Sequence, residues 1–293
     1  MVRRPDIALR VELSEGFQAH GPMAQRAVEF AQRFSQRCGG DIDGVRMHIT
    51  RAPRAHSGLG TGTQLAMAVA KAMAAMIDCD DWSPGSPAQL AAMVDRGQRS
   101  AIGAYGFFHG GLIVEGGKPD AHNLAPMLMR HPFCQDWRIV LICPDNLEGL
   151  SGRRESQAFE QMPAISDQAT EKMCRLVLLG LMPAAIEEDL TCFSQALFEL
   201  QQIVGQCFIQ QQGGLYADPV LTDIVQFVRN LGIEGVGQSS WGPTLYAVTE
   251  DEDRAKWLLK KVQDQFNLPA DQLMITAGDN HGARLTTCKV QAQ

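Results

Sequence analysis

Residues 52–66 read Ala52-Pro53-Arg54-Ala55-His56-Ser57-Gly58-Leu59-Gly60-Thr61-Gly62-Thr63-Gln64-Leu65-Ala66, and this stretch decides the fold. It is a loop with three glycines and two threonines that runs into an alanine-rich apolar segment. Glycine lets backbone approach a ligand closely, and the first N–H groups of a helix have no partner inside it. The helix dipole adds partial positive charge at that end, so the stretch is suited to an anion. Ser57, Gly58, Gly60, Thr61, Gly62 and Thr63 are the candidate phosphate-binding residues, and the Thr61 hydroxyl can also reach a metal. A tight turn with an ordinary N-cap accounts for the same residues without a ligand.

The flanking pattern alternates strand and helix. Ile7–Leu13 has apolar residues at alternate places, which predicts a strand, and Ser14–Pro22 reads as a polar loop. Ala24–Cys38 is predicted helical, with Ala27, Phe30, Ala31 and Phe34 on one face and Gly39-Gly40 as its stop. Gly44–Thr50 is a strand leading to the glycine loop, and Thr63–Ile77 a buried helix. A helix near Pro87–Val94 has Ser86 as its N-cap. Arg96–Gly117 is a second glycine-rich stretch that ends in a strand, Gly110–Glu115. Asp136–Cys143 is a buried strand followed by a polar loop, Asn146–Glu155.

The composition changes near residue 160. Ser166–Leu181 and Glu187–Cys207 are predicted helices broken at Pro183. Asp218–Leu231 is a further amphipathic helix, and Gly235–Val248 a glycine turn with a strand. Asp251–Phe266 is a helix with acids at its start and Lys260-Lys261 near its end, matched to its dipole. Leu273–Ala277 closes the chain as a strand. The expected architecture is α+β in two domains. Residues 1–160 form an α/β domain carrying the glycine loop, and residues 161–293 a ferredoxin-like α+β domain.

Composition narrows the function. The 293 residues are 45% hydrophobic and 20% charged, as expected for a globular enzyme-sized chain. A net charge of -7 argues against nucleic acid as a partner. No apolar run is long enough to span a bilayer, and no signal peptide is recognisable, so no membrane partner is expected. The eight cysteines are scattered, without zinc-knuckle or dithiol spacing, which predicts a reduced cytoplasmic protein.

Three stretches together resemble the GHMP small-molecule kinases. Ser57–Thr63 (SGLGTGT) resembles their phosphate loop. Gly235–Val248 (GVGQSSWGPTLYAV) resembles their C-terminal glycine motif, so Gln238, Ser239 and Ser240 join the expected phosphate contacts. Ser100–Gly111 (SAIGAYGFFHGG) resembles the segment that carries their catalytic aspartate, but this chain has Gly103 there. No other acid lies between Asp95 and Glu115. The longer motifs AHSGLGTGTQLA, RGQRSAIGAYGFFHGGLIVEGG and GLSGRRESQAF are similar to one branch, the beta-ribofuranosylaminobenzene 5'-phosphate synthases of tetrahydromethanopterin biosynthesis. Such proteins usually carry a further N-terminal strand segment ahead of the part that begins here.

That resemblance implies a transferase joining phosphoribosyl pyrophosphate to 4-aminobenzoate or a 4-hydroxybenzoate-like acid, with loss of carbon dioxide and pyrophosphate. It implies magnesium as cofactor, small-molecule substrates as partners, and a homodimer. Arg99, His109, Arg153 and Arg154 are the expected catalytic residues. Arg96, Ser100, Gly110 and Gly111 are expected on the substrate, with Thr61 and Glu155 as metal ligands. Each has a plainer reading: arginines as solvated charge, His109 as a structural histidine, Glu155 as an ion-pair partner. Trp241, Phe107 and Phe108 are candidates for stacking on the aromatic acid or for core. An ATP-dependent kinase and a non-catalytic ligand-binding homologue are the competing functions.

Overall fold

The computed structural model describes residues 1–77, 85–118, 124–145, 147, 149 and 152–288; the side chains of Arg153, Arg154 and Ser156 lie outside that description. The N-terminal half begins with β1 (Ala8–Leu13), a short β2 (Gln18–His20), α1 (Ala24–Cys38) and β3 (Val45–Arg51). β3 lies between the other two strands, antiparallel to β1 and parallel to β2. α1 buries Ala27, Phe30, Ala31 and Phe34, the stripe that its periodicity predicts, and stops at Gly39 in the left-handed region. Next come α2 (Thr61–Ala74), α3 (Pro87–Met93), α4 (Ile102–His109) and the hairpin β4 (Leu112–Glu115) and β5 (Met127–His131). Met47, Leu65, Met67, Val69, Met73 and Leu90 are fully buried between these helices and the sheet.

The second unit starts with β6 (Arg138–Ile142). It continues through α5 (Gly152–Gln161), α6 (Asp167–Leu176), α7 (Met182–Ile186), α8 (Leu190–Gln212) and α9 (Pro219–Asn230). It ends with β7 (Val236–Gln238), β8 (Leu245–Thr249), α10 (Glu252–Phe266) and β9 (Leu273–Thr276). Its sheet has the order β7-β8-β6-β9, antiparallel throughout. Helices separate β6 from β7 and β8 from β9, which makes the expected ferredoxin-like unit. Ile142, Leu221, Ile224, Leu245 and Leu258 fill its core.

The structure corrects several boundaries. β6 is one of the two inner strands of the C-terminal sheet, so that unit begins upstream of the composition change at residue 160. The helices between β6 and β7 produce the change in composition, and the first strand precedes them. α2 starts at Thr61, two residues earlier than its apolar pattern indicates, because Gly60 in the left-handed region turns the chain into it. Pro183 does not break the helix. Residues Val177–Leu181 form a π-turn that continues into α7, with Pro183 in its first turn, where a missing N–H is tolerated. The break falls at Asp189, whose carboxylate accepts from the Cys192 N–H at 3.0 Å and caps α8. β2 and the start of α5 fall where polar loops are expected, and α4 lies inside the second glycine-rich stretch.

Candidate active site

The glycine loop lies where the two units meet. Gly58 has φ +81, and a Cβ there would sit 2.3 Å from the Ser239 carbonyl and 2.9 Å from that of Gly242. Only glycine allows this approach. The Ser239 hydroxyl donates to the Gly58 carbonyl at 2.8 Å, so the C-terminal glycine turn closes directly on the loop. Gln238 is buried and fully engaged in holding that turn: its side chain accepts from the Ala217 N–H at 2.7 Å and donates to the Ser240 carbonyl at 3.0 Å. Ser240 adopts a left-handed conformation at φ 55. The loop also fastens itself, since the Arg54 carbonyl accepts from Ser57 Oγ at 2.9 Å and from Thr61 Oγ1 at 3.4 Å. Both hydroxyls are buried and turned inward. What the loop offers a ligand is therefore its backbone and the first N–H groups of α2.

The charge comes from arginines. Arg26 on α1 approaches the start of α2, its Nη2 lying 3.0 Å from where a Cβ on Gly62 would be. Arg26, Arg33 and Arg96 surround the buried Phe30 ring, their guanidinium carbons 6.0, 5.9 and 4.9 Å from its centroid. Burial, then the guanidinium groups of Arg26, Arg33 and Arg99, hold Arg96 below the usual arginine range, with Asp95 opposing. Among the described residues its buried Nε has no hydrogen-bond partner. Asp95 is engaged by Arg33 at 3.8 Å and Arg37 at 2.5 Å. Arg99 pairs with Glu155 on α5 at 2.5 Å and lies over the Phe159 ring at 5.2 Å. Like charges held this close raise the local free energy, and a polyanion relieves it.

Gly103 occupies the first turn of α4 against this helix start. A Cβ at 103 would lie 2.8 Å from Thr63 Cγ2, and the Gly103 carbonyl accepts from Gln64 Nε2 at 2.8 Å. Missing the side chain lets α4 close on α2. The N-terminus of α4 is capped from elsewhere: Glu115 accepts from the Ala101 N–H at 2.5 Å, and Ser100 Oγ accepts from Ile102 at 3.2 Å.

The structure divides the expected site residues. Arg96 and Arg99 belong to one arginine cluster that reaches the glycine loop through Arg26, with Ser100 at the near end of α4. Arg26, which sequence reasoning missed, joins them. His109, Gly110 and Gly111 lie at the other end of α4, about 9 Å along its axis from Gly103 at the standard rise. There Gly110 and Gly111 pack on backbone of Asp279 and His131, and His109 is exposed. Arg153 and Arg154 are on α5, and their side chains lie outside the described residues. Thr61 and Glu155 turn to Arg54 and Arg99, and among the described residues no group of three metal-ligating side chains is found. Trp241 is buried edge-on against Phe208 at 4.4 Å and Phe159 at 5.3 Å, and Phe107 is core, so packing is the observed role of both.

The fold and this seam define a class: a two-unit α+β protein that presents a cationic glycine loop where the units meet. Residues 23–111 match the GHMP kinases N terminal domain model, and residues 181–268 the GHMP kinases C terminal model. Among solved structures, homoserine kinase from Cytophaga hutchinsonii has a TM-score of 0.65 at 14% identity, over 96% of this chain and 88% of that one. Mevalonate kinase from L. major, with R-mevalonate, has a TM-score of 0.64 at 16% identity, over 95% and 87%. The chain belongs to the GHMP kinase family. Within it, the chain is similar to the beta-ribofuranosylphenol 5'-phosphate synthase of Archaeoglobus fulgidus, 29% identical over 90% of this chain and 83% of that protein. The protein of that name from Methanothermobacter thermautotrophicus is also 29% identical, over 88% and 78%.

Proposed function

We propose that this chain is a ribosyl transferase that condenses phosphoribosyl pyrophosphate with 4-hydroxybenzoate or 4-aminobenzoate, releasing pyrophosphate and carbon dioxide. One observation carries the reading: Arg26 lies against the glycine-loop helix start, Arg96 and Arg99 belong to the same arginine cluster, and Gly103 stands where a kinase has its aspartate. The names of the relatives, each a beta-ribofuranosylphenol 5'-phosphate synthase, support the phenol-forming acid.

The chemistry agrees with what the site lacks. The bond from ribose C1 to the pyrophosphate oxygen breaks, and pyrophosphate leaves with the electron pair. The ring carbon that bears the carboxylate bonds to C1. The ring–carboxylate bond then breaks, returning its electron pair to the ring as carbon dioxide departs. No hydroxyl loses a proton, so no base is needed where a kinase has its aspartate. Catalysis rests on holding the leaving pyrophosphate, which the loop N–H groups and the arginines are placed to do. Arg99, positioned by Glu155, and the nearby Arg153 and Arg154 of α5 are assigned to substrate anions, bidentately where geometry allows. Magnesium belongs to the same proposal as a counter-ion arriving with pyrophosphate, because Thr61 and Glu155 do not by themselves form a cage. A cytoplasmic homodimer completes the proposal. Seven described cysteines are free thiols and no helix among the described residues is long and apolar enough to cross a membrane, which supports that compartment.

The test is phosphoribosyl pyrophosphate-dependent release of labelled carbon dioxide from carboxyl-labelled 4-hydroxybenzoate, with Arg96→Ala as the comparison. Turnover lost in the variant at unchanged thermal midpoint supports the reading. Turnover retained in Arg96→Ala removes the arginine assignment.

A further inference from the structure

α6 contributes no fully buried residue, although its helical backbone continues without a break through the π-turn Val177–Leu181 into α7. It packs on α8, and its half-buried residues Ala169, Met173 and Leu176 recur at helical spacing. The outward side is apolar as well. Leu178 and Leu179 are 52% and 68% exposed, and Ile186 follows at 57%. Ile165, just ahead of α6, and Ile209 on α8 are exposed too. Half of the large apolar side chains exposed among the described residues therefore lie along one helical run and its margin. An apolar patch gathered in this way marks a contact with another macromolecule.

Two observations select a second copy of this chain as the occupant. The first is shape. Beside the N-terminal end of α6 is a depression of about 250 Å³ walled by Ile165, Ala169, Ile203 and Ile209. At the other end Leu178 and Leu179 project. A projection and a recess at opposite ends of one helix are self-complementary under two-fold rotation. Cys174 is exposed and stands midway, with Thr170 four residues before it and Leu178 four after. An antiparallel copy centred there carries Leu178 and Leu179 to Ala169 and Thr170 of the partner subunit, at the rim of the depression. The second observation is charge. Glu171 and Arg175 are exposed, and among the described residues neither side chain makes an ion pair. In the antiparallel arrangement Glu171 is offset from the partner's Arg175 by two residues, about 3 Å along the axis, so two ion pairs close across the two-fold axis. A parallel copy sets like charge against like.

We propose that the outer face of α6 and the π-turn is the two-fold contact between two copies of this chain. The proposal rests on the homodimer inferred above and names the face that forms it. Burial of the leucines supplies the attraction, and the charges fix direction and register.

Light scattering on the eluting full chain counts the copies, and the wild type is expected to be a dimer at micromolar concentration. Leu179→Asp is expected to raise the dissociation constant at least about a hundredfold, because each copy then buries an unpaired carboxylate. Leu178→Asp replaces it if that variant loses the wild-type circular dichroism spectrum. Glu171→Arg is expected to weaken the dimer about tenfold, and adding Arg175→Glu to the same chain to restore it to within about threefold. A short bismaleimide is expected to join two wild-type chains and to fail on Cys174→Ser, which keeps the exposed Cys192 thiol. A monomeric wild type overturns this face together with the homodimer, and leaves the patch to a different protein. A dimer that the aspartate variant leaves intact, or that the bismaleimide does not join through Cys174, overturns the face and leaves the homodimer standing. Absence of the charge-reversal loss, or of its rescue, overturns the antiparallel register. None of these readouts depends on the proposed reaction.

Discussion

The two ends of α4 carry glycines for opposite reasons. At its start, Gly103 lets the helix close on Thr63 at the start of α2, next to the candidate site. At its end, Gly110 and Gly111 serve the scaffold. Gly110 has φ +60, and a Cβ there would lie 2.4 Å from the Asp279 carbonyl and 2.6 Å from the His281 N–H. The Gly111 N–H donates to that same Asp279 carbonyl at 2.6 Å. Arg130 Nη2 donates to the His109 carbonyl at 3.0 Å. One motif of glycines in sequence thus splits into a chemical end and a structural end about two turns apart.

This difference can be broken by substitution. The largest effect is expected at the chemical end: Arg96→Ala or Arg26→Ala should lower turnover at least about a hundredfold, as loss of a donor to developing negative charge does. The thermal midpoint of Arg96→Ala should stay the same or rise, because a half-buried cation leaves a cluster of like charge. A loss of activity matched by loss of folding would place Arg96 in the scaffold instead.

Gly110→Ala should do the reverse. Forcing a Cβ against backbone at positive φ should cost about 3 kcal/mol or more in denaturant unfolding, while the folded fraction keeps its kcat/KM. Gly103→Asp is intermediate. The added side chain meets Thr63 and should cost about 1–3 kcal/mol by overpacking, and it should not produce ATP consumption with any small alcohol. Phosphorylation by that variant would show that the acceptor site of a kinase survives here. His109→Gln should have the smallest effect, within about twofold in kcat/KM, since substitutions at exposed positions away from such features change little. A hundredfold drop would move the chemistry to the other end of α4.

Much of the fold was legible in periodicity. The stripe of Ala27, Phe30, Ala31 and Phe34, the alternation in β1, the cap at Ser86 and the helix starts at Asp218 and Asp251 all read directly, because each depends on residues within one or two turns. α4 was hidden because glycines at 103 and 106 weaken helix propensity, and the contacts that repay them come from distant segments. The ferredoxin-like unit and the strand at Asp136–Cys143 were legible, but that this strand belongs to the unit was not, since pairing of β6 with β8 and β9 spans more than a hundred residues. For the site, the glycine loop and Arg96 were legible as motif. Arg26 was not, because an arginine on an amphipathic helix is ordinarily solvated charge. A signal existed all the same: Arg26, Phe30 and Arg33 fall at i, i+4 and i+7, a cationic stripe along one face of the helix that precedes the glycine loop.

The central claim is that the arginine array beside Gly103 serves ribosyl transfer to an aromatic acid. The direct measurement is a paired assay on one preparation, following labelled carbon dioxide from 4-hydroxybenzoate and free pyrophosphate together. The account predicts one carbon dioxide for each pyrophosphate, with phosphoribosyl pyrophosphate required and ATP without effect. ATP hydrolysis coupled to phosphorylation of an alcohol, with no carbon dioxide released, would contradict it.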